Sequence, residues 1–178
     1  LCLGADLGLV EAIVLMAGIY VTTYLSGMLT GQTGINPMEI FAILVLLAIR
    51  LISKPSMVAS FSIAAVVAVA CGLTGDVMND LKSGHLLGTA PRQQLLGEGI
   101  GGVVGAVLSV FVLLVMRRAF GGFGTEALPA PQAAAVSAMV GGLGHIPAFL
   151  IGLFVGLVLY VANVPSATVG LGVYLPIY

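Results

Sequence analysis

A chain of 178 residues that is 60% hydrophobic and 7% charged cannot cover itself with polar surface, because an ordinary soluble domain carries about 25% charged residues. Its mean hydropathy of +1.19 points to an integral membrane protein and excludes a water-soluble globular fold. A net charge of −1 leaves no basic face, which excludes nucleic acid as a partner.

Leu7 to Leu29 reads as a first membrane span. As a helix it is about 34 Å long, enough to cross a hydrocarbon core of ~30 Å. It carries Glu11 near one end and Tyr20, Thr22, Thr23 and Tyr24 toward the other. The segment Gly31 to Pro37, GQTGINP, follows as a cluster of helix breakers. Pro37 stands where a helix would begin and Glu39 lies in its first turn, both favoured there. The run Met38 to Ile52 is fifteen residues, short for a span, and leads into Arg50 and Lys54. It is either extended by its flanks or a half-membrane helix.

Met57 to Thr74 is a third apolar run, and a charged stretch, Gly75 to Gln94, comes next. Leu95 to Met116 is a full-length span stopped by Arg117 and Arg118. Gly121 to Pro131 reads as loop, and Gln132 to Gly144 is Ala- and Gly-rich and weakly apolar. Ile146 to Ala162 is a further span, and the tail is interrupted at Gly170, Gly172 and Pro176. The sequence thus predicts an all-α, polytopic membrane helix bundle with four spans and two or three short or broken helices. Residues 1–178 form a single transmembrane domain in this reading. Paired cations fall in three successive connections, so the positive-inside rule does not orient the chain.

Glycines Gly97, Gly101 and Gly105, with Ser109, recur every four residues and share one helix face; Gly152 and Gly156 repeat the pattern. Inside lipid, helices associate through close backbone approach at small residues, so these faces are expected to meet other helices. GEGIGG, Gly97 to Gly102, matches a dinucleotide fingerprint but lacks the preceding strand that the motif requires.

Intramembrane proteolysis finds no support. There is no His-Glu-x-x-His, and GLTGD, Gly72 to Asp76, spaces its glycines one residue too widely for an aspartyl-protease motif. A serine mechanism would have to force Ser26 together with His145. Cys2 and Cys71 have no metal-type spacing, and no cofactor is implied. No enzyme activity is expected.

Five of the fifteen ionisable Asp, Glu, Lys, Arg and His residues, Asp76, Asp80, Lys82, His85 and Arg92, fall between Gly75 and Gln94. Asp76 and Asp80 would share a helix face, but Ser83-Gly84 and Gly88 to Pro91 are turn signals that break a continuous helix. Two readings stand: a solvated connection with surface ion pairs, or a polar gate facing cargo. Glu98 is about one turn inside an apolar span, where burial favours proton uptake, making it the proton-coupling candidate. A Glu in a first helical turn is equally placed to complement the helix dipole.

The stretch GDVMNDLKSGHLLGTAPRQQLLGEGIG resembles the signature of the oligopeptide transporter (OPT) superfamily, nearer its yellow-stripe-like and prokaryotic members. TGINPMEIF and VGLGVYLPIY are similar to two further stretches of that family, and the three occur in the same order from Thr33 to Tyr178. The resemblance implies secondary active transport of oligopeptides or metal chelates, coupled to protons, by a protein several times longer. This chain then corresponds to the C-terminal part of such a transporter, with the bilayer and the remaining helices as partners. Asn36, Glu39, Asp76, Asp80, Lys82, His85 and Arg92 are the substrate or gate candidates. The alternative is a non-catalytic membrane subunit that packs on partner helices through its glycine faces.

Overall fold

The computed structural model describes residues 7–140 and 144–174, and every regular element among them is an α-helix. Cys2 and the last four residues, including Pro176, lie outside the described residues, and the tail is not interrupted at Gly170 or Gly172, since Ser166–Tyr174 is one continuous helix. The helices are α1 (Leu9–Thr33), α2 (Met38–Arg50), α3 (Met57–Leu87), α4 (Pro91–Phe120), α5 (Pro131–Val140), α6 (Ile146–Val161) and α7 (Ser166–Tyr174). The all-α membrane bundle with short and broken helices is what the sequence predicts. Three helices, α1, α3 and α4, are long and apolar enough to cross a membrane; α6 is apolar but has only 16 residues.

The breaker cluster works as its residues dictate. Gly34 takes φ 73°, which an L side chain adopts only with strain, and its N–H closes α1 on Thr30 O at 2.8 Å. Pro37 then opens α2, whose 13 residues rise only about 20 Å. Ser56 caps α3 by accepting a hydrogen bond from the Ala59 N–H at 3.2 Å. His145 does the same for α6, its Nδ1 accepting from the Ala148 N–H at 3.2 Å.

The charged stretch departs from expectation. It is not broken at Ser83-Gly84: α3 runs unbroken for 31 residues to Leu87. Gly84 is buried because α4 crosses it, with Gln94 resting where a Cβ would project. Its missing side chain therefore serves a close approach of helices rather than a turn. The bend is Gly88 to Ala90, where Gly88 at φ 73° ends α3 and the Thr89 N–H donates to Gly84 O at 2.8 Å. Pro91 starts α4 at once.

The core belongs to α1, α2 and α3. Phe41, Ala42, Val45, Leu46 and Ile49 of α2 are buried against Ala59, Ile63, Ala64, Val67 and Cys71 of α3, with Leu15 and Leu29 from α1. α2 folds back along α1, so Gly18 lies opposite Val45; a Cβ on Gly18 would stand 2.8 Å from Val45 Cγ1. α4 by contrast buries no residue, and nothing lies within 4 Å of a Cβ built on Gly97, Gly101 or Gly105. Gly152 and Gly156 of α6 are equally open. Among the described residues the two small-residue faces meet no helix, unlike the contact the sequence leads one to expect.

Gly18 is thus the close-contact residue of the α1–α2 hairpin. Replacing it with Leu is expected to lower stability by about 1–3 kcal/mol through overpacking. Thermal unfolding in detergent measures this, and Gly101→Leu on the open face is the control that should cost less.

Candidate functional site

A polar junction sits where the α1–α2 break meets the middle of α3. Ser26, fully buried, has its Oγ 2.7 Å from Asn36 Oδ1 and 2.9 Å from Cys71 O. A hydroxyl has one proton, so it donates to one of these at a time. Asn36 Nδ2 donates to the same Cys71 O at 2.8 Å. The amide therefore ties the interrupted backbone to both neighbouring helices.

One turn along, Gly75 leaves room for this arrangement. A Cβ there would lie 2.6 Å from Asn36 Nδ2 and 3.2 Å from Thr30 Oγ1. Thr30 is buried, and its Oγ1 has no hydrogen-bond partner among the described residues. Ser26, Thr30, Cys71 and Gly75 form two i, i+4 pairs on facing helices. Sequence reasoning singled out Asn36 and missed these four as a group. Their spacing was the available signal, since small and hydroxyl residues four apart mark helix contacts in lipid. The Ser26–His145 pairing does not form: Ser26 is engaged in the junction, and His145 caps α6.

Glu39 lies in the first turn of α2 and lines an apolar cavity of about 230 Å³ together with Met38, Phe61, Ala64, Ala68 and Val136. Met38 Sδ approaches Gly72, which puts this carboxylate at the level of the middle of α3.

The remaining candidates gather at the α3–α4 bend. Asp76, Asp80, Lys82, His85 and Arg92 are exposed, and Glu98 is half-buried. Asp80 and Glu98 lie about two turns from the bend on opposite arms. The two carboxyl groups thus stand on arms that face one another across the bend. Glu98 Oε1 is a buried atom without a hydrogen-bond partner among the described residues. Gln94 Nε2 donates to Asp80 O and ties the arms together. Lys82 and Arg92 form no ion pair with either aspartate among the described residues. Asp80 and Glu98 thus face one another across the bend, whereas Asp76 directly follows Gly75, which abuts Asn36 at the α1–α2 break.

These features define a class: a multi-pass α-helical membrane protein whose interrupted hairpin is held by interhelical hydrogen bonds. The chain belongs to the OPT oligopeptide transporter protein family, whose model matches residues 6–178. Among curated relatives, the metal-nicotianamine transporter YSL2 of Arabidopsis thaliana is 37% identical over 59 residues, 29% of this chain and 9% of that protein. The iron-phytosiderophore transporter YSL15 of Oryza sativa subsp. japonica is 42% identical over 48 residues, 27% of this chain and 7% of its own length. A likeness to the MFS antiporter QDR2 of Candida albicans, 39% over 62 residues, covers 30% of this chain and 12% of that protein. The matches thus cover only a small part of each relative. No solved structure matches the chain. The family and the yellow-stripe-like relatives are transporters, in keeping with the expected multi-pass membrane location.

The junction makes a direct prediction. Asn36→Ala removes one donor and one acceptor inside the bundle and is expected to cost about 1–2 kcal/mol, on the scale of interhelical hydrogen bonds in membranes. Gly75→Val drives a branched side chain into Asn36 and should destabilise more. Unfolding temperature in detergent ranks the two variants, and the reverse order would contradict the close approach of Asn36 to Gly75.

Proposed function

We propose that this chain is one transmembrane domain within a longer secondary active transporter that moves oligopeptides or metal chelates, driven by protons. The reading rests on the break between α1 and α2. Irregular backbone is tolerated at membrane depth only where protein or a watery cavity satisfies its polar groups. Discontinuous helices of this kind are where transport sites are built. Here Asn36 secures the break and Glu39 follows it beside a cavity.

In this reading Asn36 and Glu39 border the cargo route. The α3–α4 hairpin with Asp76, Asp80, Lys82, His85 and Arg92 acts as a gate. Glu98 loads and releases the coupling proton, with Asp80 as its neighbour. The names of the yellow-stripe-like relatives, metal-nicotianamine and iron-phytosiderophore transporters, favour a metal chelate over a simple peptide as cargo. No catalytic step and no cofactor enters. The open glycine faces of α4 and α6 take the remaining helices of the transporter, and lipid covers the rest. Those same faces would equally suit a non-transporting subunit.

Uptake by the full-length transporter in proteoliposomes tests the assignment. Glu98→Gln is expected to abolish accumulation driven by a pH gradient while exchange of labelled for unlabelled chelate continues. Asp80→Asn should shift the pH dependence of uptake. Gradient-driven accumulation that survives in both variants rules out the coupling role.

A further inference from the structure

The end of the bundle away from the acidic hairpin holds a pocket that the transport reading leaves unused. It encloses about 370 Å³ and is lined by Arg50 at the end of α2, Pro55, Met57 and Ser60 at the start of α3, and Ser137 and Val140 on α5. No carboxylate is among its lining residues. Ser60 is completely buried, yet its Oγ has no hydrogen-bond partner among the described residues. A helical serine facing apolar surroundings normally returns its proton to the carbonyl one turn back. This one instead lines the pocket with its capacity unspent.

Three other donors surround the same space. Arg50 is half-buried and donates from Nη1 to Met139 O at 3.4 Å, leaving most of its five N–H groups free. Ser137 contributes a second hydroxyl to the lining. α3 begins here, and its cap, Ser56 Oγ, takes the Ala59 N–H. The N–H groups of Met57 and Val58 therefore have no acceptor inside the helix, and they add the positive end of a 31-residue helix.

The geometry points to an oxyanion site, formed by Arg50, Ser60 and Ser137 at the α3 N-terminus, that holds the phosphodiester of an anionic phospholipid. Free phosphate shares the chemistry, but the surroundings select the lipid. The pocket lies at the start of an uncharged run, Met57 to Leu73, so the proposal places it at the level of the headgroups. Pro55, Met57 and Val140 give the site an apolar wall suited to a glycerol backbone. Lys54, next to Pro55, adds attraction for a negative surface.

The test uses the full-length transporter in detergent, with unfolding temperature followed against added phosphatidylglycerol or inorganic phosphate. Phosphatidylglycerol is expected to raise the unfolding temperature of the parent protein. Arg50→Gln and Ser60→Ala should each weaken its apparent affinity by about tenfold, the weight of one hydrogen bond to a charged group. Arg117→Gln, a cation outside the pocket, should leave the affinity unchanged. Ser60→Ala carries the test should the arginine variant fold poorly. The proposal falls if the lipid effect is absent, if it survives in both pocket variants, or if Arg117→Gln weakens it equally. Stabilisation by inorganic phosphate with none from the lipid overturns the lipid assignment.

Discussion

The arrangement depends on one carbonyl. Cys71 O, halfway along α3, accepts from Asn36 and stands within reach of Ser26, so three segments distant in sequence converge on a single acceptor. In water such a group would lose little by facing solvent. In lipid each unsatisfied backbone or amide group costs several kcal/mol, and a break in a helix exposes several at once. The break after Gly34 is therefore possible only beside a helix that can lend a polar atom, with small residues that allow approach. Gly75 supplies the approach and Cys71 the atom. Everything that α2 positions, Glu39 included, is placed by this contact.

A second constraint follows from the first. Because α1 packs along α3 as far as Thr74 and Met78, the last turns of α3 extend past these contacts to the bend shared with α4. Those last turns carry Asp80, Lys82 and His85, while Asp76 lies beside the contact with α1. α4 pairs with these turns through Gln94, which donates to Asp80 O, then continues without burying a residue. The chain is thus a packed three-helix unit joined to a loosely held hairpin arm. A core fixed by interdigitated side chains does not deform continuously, so the arm is the part less restrained by packing.

Hydropathy and breakers made much of this legible. Leu7–Leu29 and Leu95–Met116 foretell α1 and α4, and GQTGINP contains the interruption, although its first three residues complete α1. The hairpin arm was misread because Ser83-Gly84 has the composition of a turn. A glycine in a helix and a glycine in a turn differ only in what lies opposite, and Gln94 is supplied by a different helix. The junction was half legible for the same reason. Asn36 stands out locally, whereas its partner Cys71 O is a main-chain atom 35 residues away that no side-chain pattern announces.

The ionisable groups sort by what holds them. The tight bend at Gly88 sets Asp80 and Glu98 on facing arms joined by Gln94, and like charges held near one another repel. Arg50 is instead fixed by a carbonyl of α5 at the other end of the core, with the buried hydroxyl of Ser60 in the same pocket. Like charges forced together store energy that a moving ion can release, whereas a cation set among donors is stabilised by an anion that stays. In the proposed reading the acidic hairpin takes an exchangeable ligand and the Arg50 pocket a resident one. The three-helix core between them keeps the two chemistries apart.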